Sequence, residues 1–451
     1  MNRRRDERRR DAARFMFATG IECSNPVALD ADGRRKRIDE LELTFHYTYW
    51  KYDLGLVREI GLEYLRYGPP WYRVHLAPGR YDWEFTDDVF AEMRRLGIVP
   101  IVDLCHFGVP DWIGDFQNPD WPELFSQYAA AFARRFPWVQ LYTPINEIYV
   151  CAKLSTLVGL WNERARGDHR AFVTAVKHLC RANLLAIDAI LNVRPDAMFI
   201  QSESAEYFHA GGTDASSLDR CRWENELRFL SLDLLFSHRP AEWIQTYLFD
   251  NGLSGREFDW FMSHRLGARI VMGNDYYDRN EQVIGRDGGA RPAGEVFGWA
   301  VITRQYFDRY RRPVMHTETN TFDAEDAPRW LWKEFYNVRY LREQGVPVVG
   351  FTWYSLLDQV DWDSALARER GVVNPVGLFD LQRRARPVAT AFRRLLEDFV
   401  DEPLLPENAT PRSNTDIFAP GRNEAGWSFW GSPGLVDTDQ PRPRDRRTNQ
   451  P

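Results

Sequence analysis

The sequence predicts a single (β/α)8 barrel in the α/β class. Eight short apolar runs alternate with longer amphipathic stretches between about residues 14 and 399. Strands alternating with helices make a parallel sheet with helical crossovers, and eight such units suggest closure into a barrel. The chain has 451 residues, 44% of them hydrophobic, which is enough to bury a large core and too apolar for a disordered protein. No glycine-rich phosphate loop follows an early run, which weakens the open doubly wound alternative.

The expected strands, in order, are Arg14–Glu22, Leu62–Tyr67, Ile98–Leu104, Val139–Ile145, Ala197–Glu203, Ala268–Gly273, Pro313–Glu318 and Val348–Tyr354. Each is short and apolar, and a more polar segment with helical spacing follows most of them. After the second strand, Thr86 is a candidate cap for a helix with Asp87 and Asp88 in its first turn. Val89, Met93 and Leu96 then share one face, and Gly97 ends it behind Arg94 and Arg95. Between the fourth and fifth strands, His169 to Val193 carries Phe172, Val176, Leu179, Ala182, Ala186 and Ala189 at spacings of three and four. That is one buried stripe, and Pro195 follows as a stop.

The flanks differ from the barrel. Residues 1–13 form an arm with six arginines among the first ten residues. No apolar run follows them to complete an export signal, and a solvated, poorly ordered terminus is expected. Residues 400–451 form a Pro-rich tail. It is expected to pack partly on the barrel through Trp427, Phe429 and Trp430, with its end disordered. The net charge is −7, so composition does not suggest a nucleic-acid partner. No run approaches the ~20 apolar residues of a membrane span. Cys23, Cys105, Cys151, Cys180 and Cys221 are odd in number and lack a CxxC spacing. Reduced thiols and a cytoplasmic location fit better than a disulfide framework, and no metal or cofactor is implied. Seventeen tryptophans suit either packing or the faces of sugar rings.

Barrels of this kind carry their chemistry at the C-terminal ends of strands. Two glutamates stand there. Leu141–Val150 reads LYTPINEIYV and ends its strand at Asn146 and Glu147; Pro313–Asn320 reads PVMHTETN and ends its strand at Glu318. A Glu among apolar neighbours is expensive to leave charged unless paired or raised in pKa. Glycoside hydrolysis needs two carboxyls, one to protonate the leaving oxygen and one to attack or to activate water. Either Glu taken singly would be read as an ordinary ion-paired residue, because the chain is rich in acids.

The flanking motifs separate these readings. Thr143-Pro144-Ile145-Asn146-Glu147 resembles the Thr-x-Asn-Glu-Pro acid/base motif of glycoside hydrolase family 1, the β-glucosidase family, with one extra residue between Thr and Asn. Thr317-Glu318 resembles that family's Thr-Glu-Asn-Gly nucleophile motif. The run from Ser355 to Trp362 (SLLDQVDW) resembles Ser-Leu-Leu-Asp-Asn-Phe-Glu-Trp after the eighth strand. Arg66 to Arg73 resembles Arg-Phe-Ser-Ile-Ser-Trp-Pro-Arg after the second, Cys105 to Pro110 resembles Tyr-His-Trp-Asp-Leu-Pro after the third, and Asp275-Tyr276-Tyr277 resembles Asn-Tyr-Tyr after the sixth. The match runs collinearly over residues 14–399. One motif would be weak; all of them in order are strong.

The resemblance implies a retaining β-glycosidase acting on terminal β-linked neutral sugars, with Glu147 as acid/base and Glu318 as nucleophile. It implies that Asn146 meets the sugar 2-hydroxyl, that His106 meets the 3-hydroxyl region, and that Arg66 and Tyr277 attend Glu318. Asp361 and Trp362 would grip the far hydroxyls, with Trp353 or Tyr354 beneath the ring. Outside this context, the histidine and the aromatics would be read as core. Ile148 stands where the family has Pro, Thr319-Asn320 where it has Asn-Gly, and Asp361 where it has Glu. Gly20 to Asn25 matches the family's Gln-x-Glu-Gly poorly, so either Glu22 or Asn25 could supply that sugar contact. These departures mark a divergent branch. Two alternatives stay open: a transglycosidase using the same two glutamates, and a non-catalytic sugar-binding barrel. The partner is a carbohydrate in every case.

Overall fold

The computed structural model describes residues 14–266, 269–406 and 408–409. The arginine-rich arm and the Trp427–Trp430 anchor lie outside the described residues. Eight parallel strands close into a barrel: β1 (Met16–Gly20), β2 (Tyr64–Tyr67), β3 (Val99–Cys105), β4 (Leu141–Ile145), β5 (Met198–Ser204), β6 (Ile270–Asp275), β7 (Val314–Glu318) and β8 (Val348–Trp353). Each strand pairs with the next, and β8 closes onto β1 through Met16 opposite Gly350. The predicted strands are all present. Their ends coincide or shift by one or two residues, and Ala268 lies outside the described residues.

Strand parity divides the core in two. Met16, Ala18, Ile101, Leu141, Met198, Ile200, Val271, Met315 and Val349 fill the barrel interior. Their neighbours Phe17, Val102, Tyr142, Phe199, Met272 and Val314 face the helices instead. A period of two along each strand produces this split. Leu404 closes the floor of the interior cluster. It is held there because Arg342 donates to the carbonyls of Pro403 at 2.6 Å and Leu404 at 3.0 Å, while Phe15 N–H donates to Glu402 at 3.0 Å.

The helices follow their amphipathic stripes. His169–Val193 forms as expected, and the Asp168 carboxylate caps it by accepting from Ala171 N–H at 2.9 Å. The helix after β2 spans Glu84–Leu96, so Thr86 lies inside its first turn and is not its cap. Asp82 accepts from Glu84 N–H at 3.1 Å in its place. Gly97 ends that helix at φ +67°, a conformation open to glycine at no steric cost.

Candidate active site

The same parity carries polar side chains onto the apolar floor. Two residues along from Tyr64, Ile101, Ile200, Val271 and Met315 stand Arg66, Asp103, Ser202, Gly273 and Thr317; Asp275 stands two beyond Gly273. All are buried, so each polar group among them needs a partner. Gly273 has no room for a side chain: a Cβ there would sit 2.7 Å from the Thr317 side chain and 2.9 Å from the Ser202 backbone. This close approach lets β5, β6 and β7 bring their polar ends together.

Arg66 is the hub. Its Nη1 donates to Glu318 at 2.5 Å and to the Thr317 carbonyl at 3.1 Å. Nη2 donates to both Asp103 oxygens, at 3.2 and 3.0 Å, and to Asn146 Oδ1 at 3.0 Å. Burial alone would raise the Asp103 carboxyl, but Arg66 and His106 hold it below its ordinary value. Tyr277 O–H donates to the second oxygen of Glu318 at 2.7 Å. Glu318 therefore meets a strong donor on each oxygen, which suits an ionised carboxylate.

Glu147 has a different setting. It stands just after β4 with φ +43°, a left-handed conformation uncommon for a residue with a side chain. Its N–H donates to the Ser202 carbonyl at 3.0 Å, and its carboxyl accepts no hydrogen bond from the described residues. Burial, then the charges of Asp275 and Glu318, push its pKa well above the ordinary carboxyl range. Behind it, Ile148 and Tyr149 donate their N–H groups to Glu203 at 3.2 and 3.3 Å. A proline after Glu147 would have no N–H; Ile148 brings an additional main-chain donor, and Glu203 satisfies it. Burial raises Glu203 to about 7 against those bonds.

Asn146 Nδ2 lies 3.2 Å from His106 Nε2. Because Arg66 engages the amide oxygen, the amide nitrogen faces the imidazole. The His106 Nδ1 side faces Asp103 at 3.4 Å. The Tyr354 ring lies parallel to His106 at 6.2 Å, under the Arg66 guanidinium at 5.3 Å. It occupies the space a Cβ on Gly20 would need. Glu22 is buried, accepts from Ser24 N–H at 2.8 Å and from Gln359 Nε2 at 3.3 Å, and lies 3.9 Å from His106. Burial raises its pKa, partly offset by His106.

Several expected sugar contacts are placed elsewhere. Asp361 turns its carboxylate onto its own loop, accepting from the N–H groups of Arg370, Gly371 and Val372 at 2.7, 3.0 and 2.9 Å. It pins that loop and has no free face for a hydroxyl. Trp353 is fully buried, with Nε1 donating to the Val376 carbonyl at 3.0 Å, so it belongs to the core. Asn25 donates to the Cys23 carbonyl at 3.0 Å and packs on Gly108, which makes it a loop residue; of the two candidates on the first loop, Glu22 is the one beside His106. Trp362 remains half-buried next to Phe107 and Trp161, and its Nε1 has no hydrogen-bond partner among the described residues.

The structure also adds groups that sequence reasoning gave no role. Asp103 carried a signal, an acid inside an apolar strand. Gln359 carried none, and Glu40 arrives from outside the strands. Glu40 is buried, accepts from Val360 N–H at 3.1 Å, and is raised well above the ordinary range by burial and by Glu22. Cys23, Asp103 and His106 offer ligand atoms within 4.8 Å of one another. Arg66 already donates to both Asp103 oxygens, so this cluster is knitted as a hydrogen-bond network and repels a cation.

Comparison with known proteins places this geometry. Residues 35–216 match the family model of Glycosyl hydrolase family 1. The chain is 31% identical over 387 residues to aryl-phospho-beta-D-glucosidase BglA of Bacillus subtilis (strain 168), covering 73% of this chain and 79% of the relative. It is 21% identical over 368 residues to beta-glucosidase A of Thermotoga maritima, covering 73% and 81%. Among solved structures, the beta-glucosidase from Thermotoga maritima in complex with glucoimidazole superposes with a TM-score of 0.70 at 16% identity, covering 86% of this chain and 98% of that one. That likeness shows the shared barrel.

Proposed function

The chain belongs to glycosyl hydrolase family 1, and as a β-glucosidase-like glycoside hydrolase we propose that it works by double displacement with retention, using Glu318 and Glu147. One contrast carries the reading. Glu318 is gripped by Arg66 and Tyr277, while Glu147 has no donor among the described residues and is driven toward its protonated form. Two carboxyls with opposed environments are what an acid and a nucleophile require.

In the first step a Glu318 oxygen attacks the anomeric carbon. The glycosidic C–O bond breaks, and Glu147 gives its proton to the leaving oxygen. In the second step Glu147 takes a proton from water, whose oxygen attacks the same carbon and breaks the Glu318 ester. The alcohol and the sugar are released, and both carboxyls return to their starting states. Asn146, beside Arg66 and His106, would hold the 2-hydroxyl, and His106 its neighbour. Release of aryl alcohol from a panel of aryl β-glycosides tests this directly. A folded protein that hydrolysed none of them would end the hydrolase reading.

The preferred sugar is neutral. The names of the relatives divide between phospho-β-glucosidase and β-glucosidase, so the residues must decide. Asp361, committed to its loop, no longer contributes a sugar contact. Glu22 and Glu40 are buried near it, and burial raises both carboxyls, so they can bond hydroxyls while offering a phosphate no cationic partner. A higher kcat/KM on a 6-phospho-glycoside than on its neutral parent would overturn this preference. All five cysteines are free and buried, which supports a reducing compartment, the cytoplasm. No helix among the described residues is long and apolar enough to cross a membrane.

A further inference from the structure

The geometry points to Asp275 as a positioning residue that, hydrogen-bonded to Ser202 on the strand beside it, gives up its proton before Glu147 and so keeps the proton on Glu147 until the leaving group takes it. This inference rests on the roles proposed above for Glu147 and Glu318. Asp275 stands where the resembled motif has a neutral Asn, so its charge is a property of this chain.

Three observations place it there. First, Asp275 ends β6, between β5 and β7, and pairs with Ser204 on one side and Glu318 on the other. Strand parity turns its side chain inward above Gly273. Second, Ser202 Oγ lies 2.8 and 2.6 Å from the two Asp275 oxygens, and the Ser202 carbonyl accepts from Glu147 N–H at 3.0 Å. One residue thus joins Asp275 to Glu147. Third, the two carboxyls are unequally served. Asp275 has the Ser202 hydroxyl and lies in the field of Arg66, whereas the Glu147 carboxyl has no donor among the described residues.

Two interacting acids lose their protons in two steps that belong to the pair. The carboxyl with a hydroxyl donor and the Arg66 charge beside it ionises first, here Asp275. Its charge then opposes the second loss, from Glu147. Burial raises both groups, and Asp275 is the foremost charge acting on Glu147. The other groups facing the pair come from every neighbouring strand. Arg66 from β2 and His106 after β3 are the basic ones; Glu203 from β5 and Glu318 from β7 are acidic, and Tyr277 donates to Glu318. None of them changes in the variants below.

The test is the pH dependence of kcat/KM for an aryl β-glycoside in wild type and Asp275→Asn. Asn keeps the shape and removes the charge. The expected result is a basic limb displaced to lower pH by roughly one unit or more, with the acid-side plateau largely kept. Ser202→Ala removes a donor to the ionised Asp275 and should move the limb the same way by less. Carboxyl titration by 13C NMR of protein labelled at its glutamates reads the same quantity without turnover, with Glu147→Gln identifying the resonance. A basic limb and a Glu147 resonance that stay in place in both variants would leave Asp275 a purely structural residue and overturn the inference, with the glycosidase reading intact. A wild type inactive on the whole panel would instead defeat the glycosidase reading, and the NMR titration alone would then decide whether Asp275 raises Glu147.

Discussion

At the scale of single residues, the two glutamates should fail differently when removed. Glu318→Ala abolishes the attacking oxygen, so no glycosyl-enzyme forms and even activated aryl glycosides react at least about a thousandfold more slowly. Azide can enter the vacated space and attack from that face, giving a product of inverted configuration. Glu147→Ala leaves the nucleophile in place. A good leaving group needs little protonation, so a covalent intermediate accumulates, and azide releases it with retained configuration. Product stereochemistry by 1H NMR checks both, and swapped outcomes would reverse the two roles. The wild-type profile should be bell-shaped. Glu147 is raised well above the ordinary range, so its proton, and the rate, should be lost only as pH rises well past ordinary carboxyl values. A flat profile with chemistry limiting would defeat the pairing. Both glutamates were legible because each ends an apolar strand inside a motif. The roles of Asp361 and Trp353 were not, since one acid or one indole reads the same whether it faces a sugar or a main-chain group. Only the folding back of residues 370–372 onto Asp361 decides that case.

At the scale of elements, the strands were legible because an apolar run of period two leaves few options, and the site was legible where it continues that period or falls in a motif at a strand end. Arg66 and Glu318 belong to strands. Glu40 and Gln359 reach the site by long-range folding, and nothing in their local sequence announces it. Two elements invite direct tests. Glu203, on β5, holds the chain that follows Glu147. Glu203→Leu leaves the Ile148 and Tyr149 N–H groups without their acceptor, which should cost about 1–3 kcal/mol, read by urea unfolding. It should lower kcat more than it changes KM, because the substrate still binds while the acid shifts. An unchanged kcat would mean that β4 alone orients Glu147. The loop after β8 depends on Asp361 in the same way. Asp361→Ala removes the acceptor of three N–H groups, and its main effect should be greater protease sensitivity near residues 363–373. An altered preference among sugars epimeric at the 4-hydroxyl, with the loop intact, would restore Asp361 as a sugar contact.

At the scale of the whole molecule, burial that serves packing also places titratable groups where the charged form is costly. The barrel's closure followed from counting strand–helix units, but this consequence required knowing which acids the helices cover. Glu163, Glu203 and Glu334 are each raised by burial from 4.5 to about 7. Glu334 is the cleanest probe, because it lies fully buried on the helix Ala327–Glu343, 3.3 Å from His316 Nε2 and away from the two glutamates. Burial lowers the His316 pKa well below its ordinary value, so the imidazole stays neutral and adds no charge beside Glu334. Below about pH 4.5 the native and unfolded chains both hold the Glu334 proton. Between 4.5 and about 7 the unfolded chain releases it while the native chain keeps it, so stability falls as pH rises through that window. Above it the native chain ionises as well, and the loss levels off. Glu334→Gln carries no proton to lose. Its stability relative to wild type should therefore improve by roughly 2–3 kcal/mol between about pH 5 and about pH 7.5, read as the pH dependence of the difference in urea-unfolding free energy. The difference cancels every titration the two proteins share, Glu163 and Glu203 included. A constant offset between them across this range would mean that Glu334 is already ionised in the native barrel at about pH 5.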